Sequence, residues 1–121
     1  DTYNASLDSV KNSLGLLSKV EGRKVFIFAD ILEADNFAKE IHEDVAESVM
    51  GNNIDVTICV GNLSKYTYEK LKSNNNEVYY FASNSDLISN LNSILKEKDT
   101  ILIKGSHSMK LIEIVNFLEK E

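Results

Sequence analysis

Residues 25–60 read VFIFADILEADNFAKEIHEDVAESVMGNNIDVTICV. Val25–Ala29 and Val56–Val60 are short, unbroken apolar runs rich in β-branched and aromatic residues, the pattern of strands buried on both faces. Between them Ala38, Ile41, Val45 and Val49 recur at helical spacing, and Gly51 stops the run. A buried strand, a helix and a second buried strand form a crossover unit, which makes the two strands parallel neighbours in one sheet.

The same alternation extends in both directions. Upstream, Leu7, Val10, Leu14 and Leu17 give a helix with one apolar stripe, Ser6 its expected N-cap and Gly22 its exit. Downstream, a helix over about Ser64–Lys72 carries Leu63, Thr67 and Leu71 on one face. The Asn74-Asn75-Asn76 turn leads to a strand at Val78–Phe81. Asn84-Ser85-Asp86 caps a helix with Leu87, Leu91 and Leu95. Ile101–Ile103 is a fourth strand, and a final helix holds Met109, Ile112, Val115 and Leu118. The order α-β-α-β-α-β-α-β-α predicts a Rossmann-like, doubly wound α/β fold: a mainly parallel sheet with helices on both faces, one domain over residues 1–121. A fold of this kind that opens directly on a helix, at DTYNASLDSV, reads as a strand-to-helix junction whose strand has been cut away.

Composition narrows the function. The net charge of −6 argues against nucleic acid or an anionic membrane as partner. No apolar run approaches the ~20 residues of a membrane span. Cys59 is the only cysteine, so neither an intrachain disulfide nor a thiolate metal cluster is available. It sits within Ile58-Cys59-Val60, and a lone buried thiol suits a reducing cytoplasm.

Ligands of such sheets bind beyond the carboxyl ends of the strands. Four junctions land there: 29–33 (ADILE), Gly61-Asn62, 82–84 (ASN) and 104–108 (KGSHS). In the last, a glycine, two hydroxyls, the charge of Lys104 and the titratable His107 precede a helix, as in an anion or carboxylate site. The plainer reading is that Gly105 turns the chain and Ser106 or Ser108 caps the helix. Asp30 and Glu33 form a carboxylate pair able to hold Mg²⁺, a ribose or an amine, or else simply load a helix start with negative charge. His42, one position beyond Ile41, reads as a satisfied residue at the edge of its helix's apolar face. No GxGxxG, GxxxxGK[ST] or GxSxG motif is present, so no complete catalytic machine is encoded.

Taken together and in order, three segments resemble the C-terminal domain of the Mur ligases. DTYNASLDSV is similar to Asp-x-Tyr-Asn-Ala-Asn-Pro-x-Ser-Met, and ADILE with His42 downstream to Gly-Asp-Met-x-Glu-Leu-Gly followed by a helical His. ILIKGSHSMKLIEIV is similar to Val-Leu-Val-Lys-Gly-Ser-Arg and its helix. Within the family the chain looks most like the branch that adds D-alanyl-D-alanine to UDP-N-acetylmuramoyl-tripeptide.

The resemblance implies a domain excised from a longer, ADP-forming amide ligase that works through an acyl phosphate. ATP and Mg²⁺ would be held mainly by a central domain and the UDP-MurNAc-peptide by an N-terminal one. The third domain closes over both and is inactive alone, with no catalytic residue of its own. By position, Asp1, Tyr3 and Asn4 would approach the nucleotide, and Lys104, Gly105, Ser106 and His107 the incoming D-Ala-D-Ala. Asp30, Glu33 and His42 match family positions without an assigned role.

Four departures stand out. Ser6-Leu7 replaces Asn-Pro, Ala29 and Asp35 each replace a Gly, and His107 replaces an Arg. The last exchanges a permanent bidentate cation for a titratable one. It keeps open a different amino substrate, and so another Mur-type ligase. A receiver-like binding module is the alternative from another class, with Asp30 and Glu33 as acidic cluster and Lys104 on the last strand.

Overall fold

The computed structural model describes residues 2–120, with side chains from residue 5. Helix α1 (Thr2–Leu17) leads to strand β1 (Lys24–Ala29), a 3-10 segment (Leu32–Phe37) and α2 (Ala38–Met50). Then come β2 (Val56–Val60), α3 (Ser64–Ser73), β3 (Val78–Phe81), α4 (Asn84–Ile94) and β4 (Thr100–Lys104). A short 3-10 turn (His107–Met109) precedes α5 (Ile112–Glu119).

The four strands form one sheet in the order β3-β2-β1-β4. All three pairings are parallel, with Val25 opposite Val56 and Ile101, and Thr57 opposite Val78. The doubly wound α/β architecture expected from the alternation is the one observed. β1 and β2, the central pair, are buried almost end to end, whereas β3 and β4 are half-buried along their lengths.

Two apolar layers sandwich the sheet. On one face Leu7, Val10, Leu14 and Leu17 of α1 pack with Ile41, Val45 and Val49 of α2, Leu71 of α3 and the rings of Phe26 and Phe28. On the other, Leu87, Leu91 and Ile94 of α4 and Ile114 of α5 pack against Val25, Ile27, Val56 and Ile58. Burying each of these large side chains contributes about 1.5–3 kcal/mol, which is why the apolar runs and stripes set the fold. Cys59 is fully buried in β2, and burial pushes its thiol pKa up, so the thiolate is not available.

Three expectations are corrected. α1 starts at Thr2, so Ser6 lies inside the helix rather than capping it. Ser83, one residue before the expected cap, is the N-cap of α4, its Oγ accepting from the Asp86 N–H at 3.2 Å. The final helix is broken: Lys110 is left-handed at φ 58, which places Met109 in a separate turn and resets the phase of α5. Its inward residues are Ile114, with Leu111, Phe117 and Leu118 beside it, while Ile112 is 61% exposed.

Candidate functional site

The carboxyl ends of β1 and β4 lie side by side, and β1 delivers Asp30 and Ile31 into the space above the sheet. Asp30 is buried. Its Oδ1 accepts from the Ser64 N–H (2.7 Å) and the Ser64 hydroxyl (2.8 Å). It therefore serves as an N-cap for α3 supplied from another strand, with the helix's free amides and positive end balancing the carboxylate. Gly61 makes room for it: φ is +108, and a Cβ there would fall 2.6 Å from Asp30 Oδ1.

His42 is fully buried, not at the edge of α2's apolar face, and its ring packs against Phe28 at 5.6 Å between centroids, tilted by 43°. Its Nε2 accepts from the Ile31 N–H at 3.0 Å, which leaves Nδ1 to donate to the Ala38 carbonyl at 2.7 Å. Burial lowers its pKa, against the opposing pull of the Ala38 carbonyl and the Asp30 charge, so the ring is neutral. The role of this histidine is therefore to fix the backbone just after β1.

Glu33 leaves the 3-10 segment on the opposite side, toward α1 and β4. Ser6 Oγ donates to its Oε1 (3.0 Å) and Ser106 Oγ to its Oε2 (2.5 Å), while Ser106 Oγ accepts from the Leu32 N–H (2.8 Å). The Ser106 hydroxyl above all, with Ser6 and its own backbone, holds the Glu33 carboxyl below its ordinary pKa against the cost of burial. Asp30 and Glu33 accordingly do not converge on one ion, and no group of three or more His, Cys, Asp or Glu suited to a metal occurs among the described residues. The Asp30–Glu33 pair therefore does not form the Mg²⁺ site that its spacing allowed. Asp35, in the same segment, has φ 51 and ψ −127, a conformation natural to glycine. A glycine at that position, as in the motif this segment resembles, would adopt this backbone without strain.

The Ser106 side chain does not cap the turn that follows it but bonds across to the Leu32 N–H, and Gly105 does not serve as a left-handed turn. Gly105 is needed for space, because a Cβ would lie 2.7 Å from Ala29 Cβ and 2.9 Å from the Ala29 carbonyl oxygen. α5 begins only at Ile112, so 104–108 is not a helix N-terminus that could bind an anion. Instead Lys104, Gly105 and Ser106 join Ser6, Ser9 and Glu33 around a cleft of about 290 Å³. Lys104 Nζ donates to Ser9 Oγ at 2.7 Å. Among the described residues neither Lys104 nor Glu33 takes part in an ion pair. His107 is exposed and turns the other way, lining a separate, more apolar groove with Leu111, Ile112 and Val115. Asp1 lies outside the described residues, as do the side chains of Tyr3 and Asn4.

The family model described as "Mur ligase, glutamate ligase domain" matches residues 1–107. The chain belongs to that family. Among its relatives is the UDP-N-acetylmuramoyl-tripeptide–D-alanyl-D-alanine ligase of Buchnera aphidicola subsp. Baizongia pistaciae, 32% identical over 100% of this chain and 26% of that one. The enzyme of the same name from Escherichia coli K12 is 28% identical over 99% of this chain and 26% of its own length. The fold is also that of MurF ligase from Thermotoga maritima in complex with ADP, with a TM-score of 0.75, 18% identity, and coverage of 95% of this chain and 26% of that one. The Mur ligase domain described here thus spans about a quarter of the length of the curated relatives it matches.

Sequence reasoning placed Lys104, Ser106 and Glu33 at the right edge of the sheet without joining them. It did not single out Ser9, the partner of Lys104, or Ser64, the partner of Asp30. The only signal for either was a hydroxyl in the first turns of a helix, which caps and ordinary surface positions share.

Proposed function

We propose that this chain is the third, closing domain of a longer cytoplasmic ligase that joins D-Ala-D-Ala to UDP-MurNAc-tripeptide. In this reading the tripeptide carboxylate is phosphorylated by ATP, and the dipeptide amine attacks the acyl phosphate, releasing phosphate. ATP phosphates and Mg²⁺ are held by the central domain in this reading, because no phosphate-binding glycine motif follows any strand here and Asp30 and Glu33, the carboxylates at the head of the sheet, are engaged in the fold. This domain contributes the head of the sheet, a preformed polar cleft that excludes water when the domains close.

The observation that carries the reading is the match of the whole chain to about a quarter of the length of ligases with that stated reaction. The cleft supports it: Lys104 is a cation without a carboxylate partner among the described residues, at the edge where an anionic group would arrive. Asp1, Tyr3 and Asn4, at the start of the chain, are proposed to meet the nucleotide; Lys104, Gly105 and Ser106 to meet the incoming dipeptide, with His107 on the neighbouring groove.

The test is ligation by the natural polypeptide. We expect a protein about four times longer than this chain, forming ADP only when both UDP-MurNAc-tripeptide and D-Ala-D-Ala are present. Lys104→Ala should slow ligation at least tenfold with an unchanged melting temperature. The 121-residue chain alone should turn over no ATP; sustained turnover by it would sink the proposal. Because His107 stands where the family has Arg, other amines belong in the same assay, and preference for one of them would identify a different Mur-type ligase.

A further inference from the structure

We propose that the cleft between α1 and β4 is polarised to hold a zwitterion by both ends, Glu33 taking the ammonium group and Lys104 with Ser9 the carboxylate. Glu33 is then the residue that seats the amine of the incoming substrate. The identity of that substrate rests on the reading above; the polarity of the cleft comes from the geometry alone.

The hydrogen bonds already made in the cleft fix where each remaining proton can go. Ser106 Oγ accepts from the Leu32 N–H, and its own hydrogen is donated to Glu33 Oε2. Ser6 likewise donates its hydrogen to Glu33 Oε1. Both hydroxyls at this end therefore have only lone pairs left to offer. A carboxylate that accepts one bond on each oxygen keeps about two further acceptor sites. The same hydrogen bonds, that from Ser106 above all, lower the Glu33 pKa and keep it ionised.

At the other end the roles are reversed. An ammonium only donates, so Ser9 Oγ accepts from Lys104 Nζ and its own hydrogen remains to be donated. Lys104 keeps two more N–H groups and takes part in no ion pair among the described residues. In its side chains, one end of the cleft is thus acceptor and negative, the other donor and positive.

Helix α1 holds the two ends apart. Ser6 and Ser9 stand three residues apart on it, a spacing that sets Cβ atoms about 5–6 Å from one another. Glu33 is bonded to the first and Lys104 to the second, and the two charges do not pair with each other. An extended dipeptide spans at most about 7 Å, the scale of this separation. The buried, apolar Val10 and Ile31 line the same cleft and suit small methyl side chains. A metal ion is the poorer occupant at Glu33, since no group of three or more His, Cys, Asp or Glu suited to one occurs among the described residues. An ammonium asks for three acceptors, which Glu33, Ser6 and Ser106 supply.

The test is a set of calorimetric titrations on the full natural polypeptide, loaded with UDP-MurNAc-tripeptide and a non-hydrolysable ATP analogue, after its ligation activity has been assayed. The probes are D-Ala-D-Ala, its hydroxyl analogue D-lactoyl-D-alanine, and its C-terminal carboxamide. We expect the parent to bind D-Ala-D-Ala at least about tenfold more tightly than either analogue, because each lacks one charged end. In Glu33→Gln the preference over the hydroxyl analogue should shrink to about twofold while the preference over the carboxamide persists. Lys104→Ala should show the reverse. Each ratio is measured on one preparation, so a reduced folded fraction does not alter it. A polypeptide that ligates D-Ala-D-Ala, but whose Glu33→Gln variant keeps the full preference for the amine, overturns the role of Glu33 and leaves the ligase reading intact. Loss of the carboxamide preference in Glu33→Gln overturns the polarity. Ligation of a different amine overturns the D-Ala-D-Ala reading alone, and the titrations then use that amine and its hydroxyl counterpart under the same criterion. No ligation of any amine and no binding of any probe overturns both.

Discussion

Replacing Gly105 with Ala tests how tightly the head of the sheet is packed. The added Cβ would sit 2.7 Å from Ala29 Cβ, 2.9 Å from the Ala29 carbonyl oxygen and 3.1 Å from its carbon. Ala29 cannot recede, because it is fully buried in a central strand with β2 behind it. Forced overpacking of this kind costs about 1–3 kcal/mol. At about 2.1 cal/mol/K per residue, the unfolding entropy of a chain this size is about 0.25 kcal/mol/K, so the melting temperature should fall by about 4–12 °C. Ala29→Gly removes the nearest contact but not the carbonyl oxygen. By itself it should cost about 0.5–1 kcal/mol through chain entropy. The double variant should therefore be more stable than the sum of the two single effects, by more than the ~0.5 kcal/mol scatter of additive pairs. Thermal and urea unfolding of the four proteins measure this. A Gly105→Ala chain melting within about a degree of the parent, or strict additivity, would refute the packing argument.

Three further outcomes follow from individual groups. Asp35→Gly should stabilise the chain by about 0.5–1 kcal/mol in urea unfolding, since relief of ~1–2 kcal/mol of backbone strain exceeds the added chain entropy. Glu33→Gln should lower the melting temperature at pH 7. Because the folded pKa of Glu33 is lowered, its contribution is complete above the ordinary carboxylate range and is lost as pH falls through the folded value, so parent and variant should converge in acid. His42 is the opposite case in charge: its folded pKa is also lowered, but below about pH 6.5 the unfolded chain takes up a proton that the folded one refuses, and stability falls as pH drops. His42→Phe should be less stable at every pH, having orphaned the Ile31 N–H, yet should lose that slope between about pH 6.5 and 5.

The strands and the α2 stripe were legible because burial on both faces of a parallel sheet writes continuous apolar runs, as in Val25–Ala29 and Val56–Val60. The break at Lys110 was not, since a lysine gives no sign of a left-handed turn and Met109 continues the helical spacing by coincidence. The candidate site was legible by position only. Ser6 and Ser106 meet at Glu33 from 27 and 73 residues away, and nothing in a one-dimensional pattern separates such a serine from a helix cap. His42 was underestimated for the same reason: its burial is made tolerable by two backbone groups that only the folded chain supplies.

The engagement of Asp30, His42 and Ser106 in the fold's own hydrogen bonds also divides the head of the domain into two classes for anyone wishing to retarget it. Asp30 and His42 are scaffold alone, and Ser106 is scaffold as well as cleft lining, so exchanging any of the three would lower stability before any change in selectivity became visible. Ser9, Lys104, His107 and Ser108 rim the cleft and groove without holding the backbone together. A combinatorial library confined to these four positions samples new recognition on an unchanged frame.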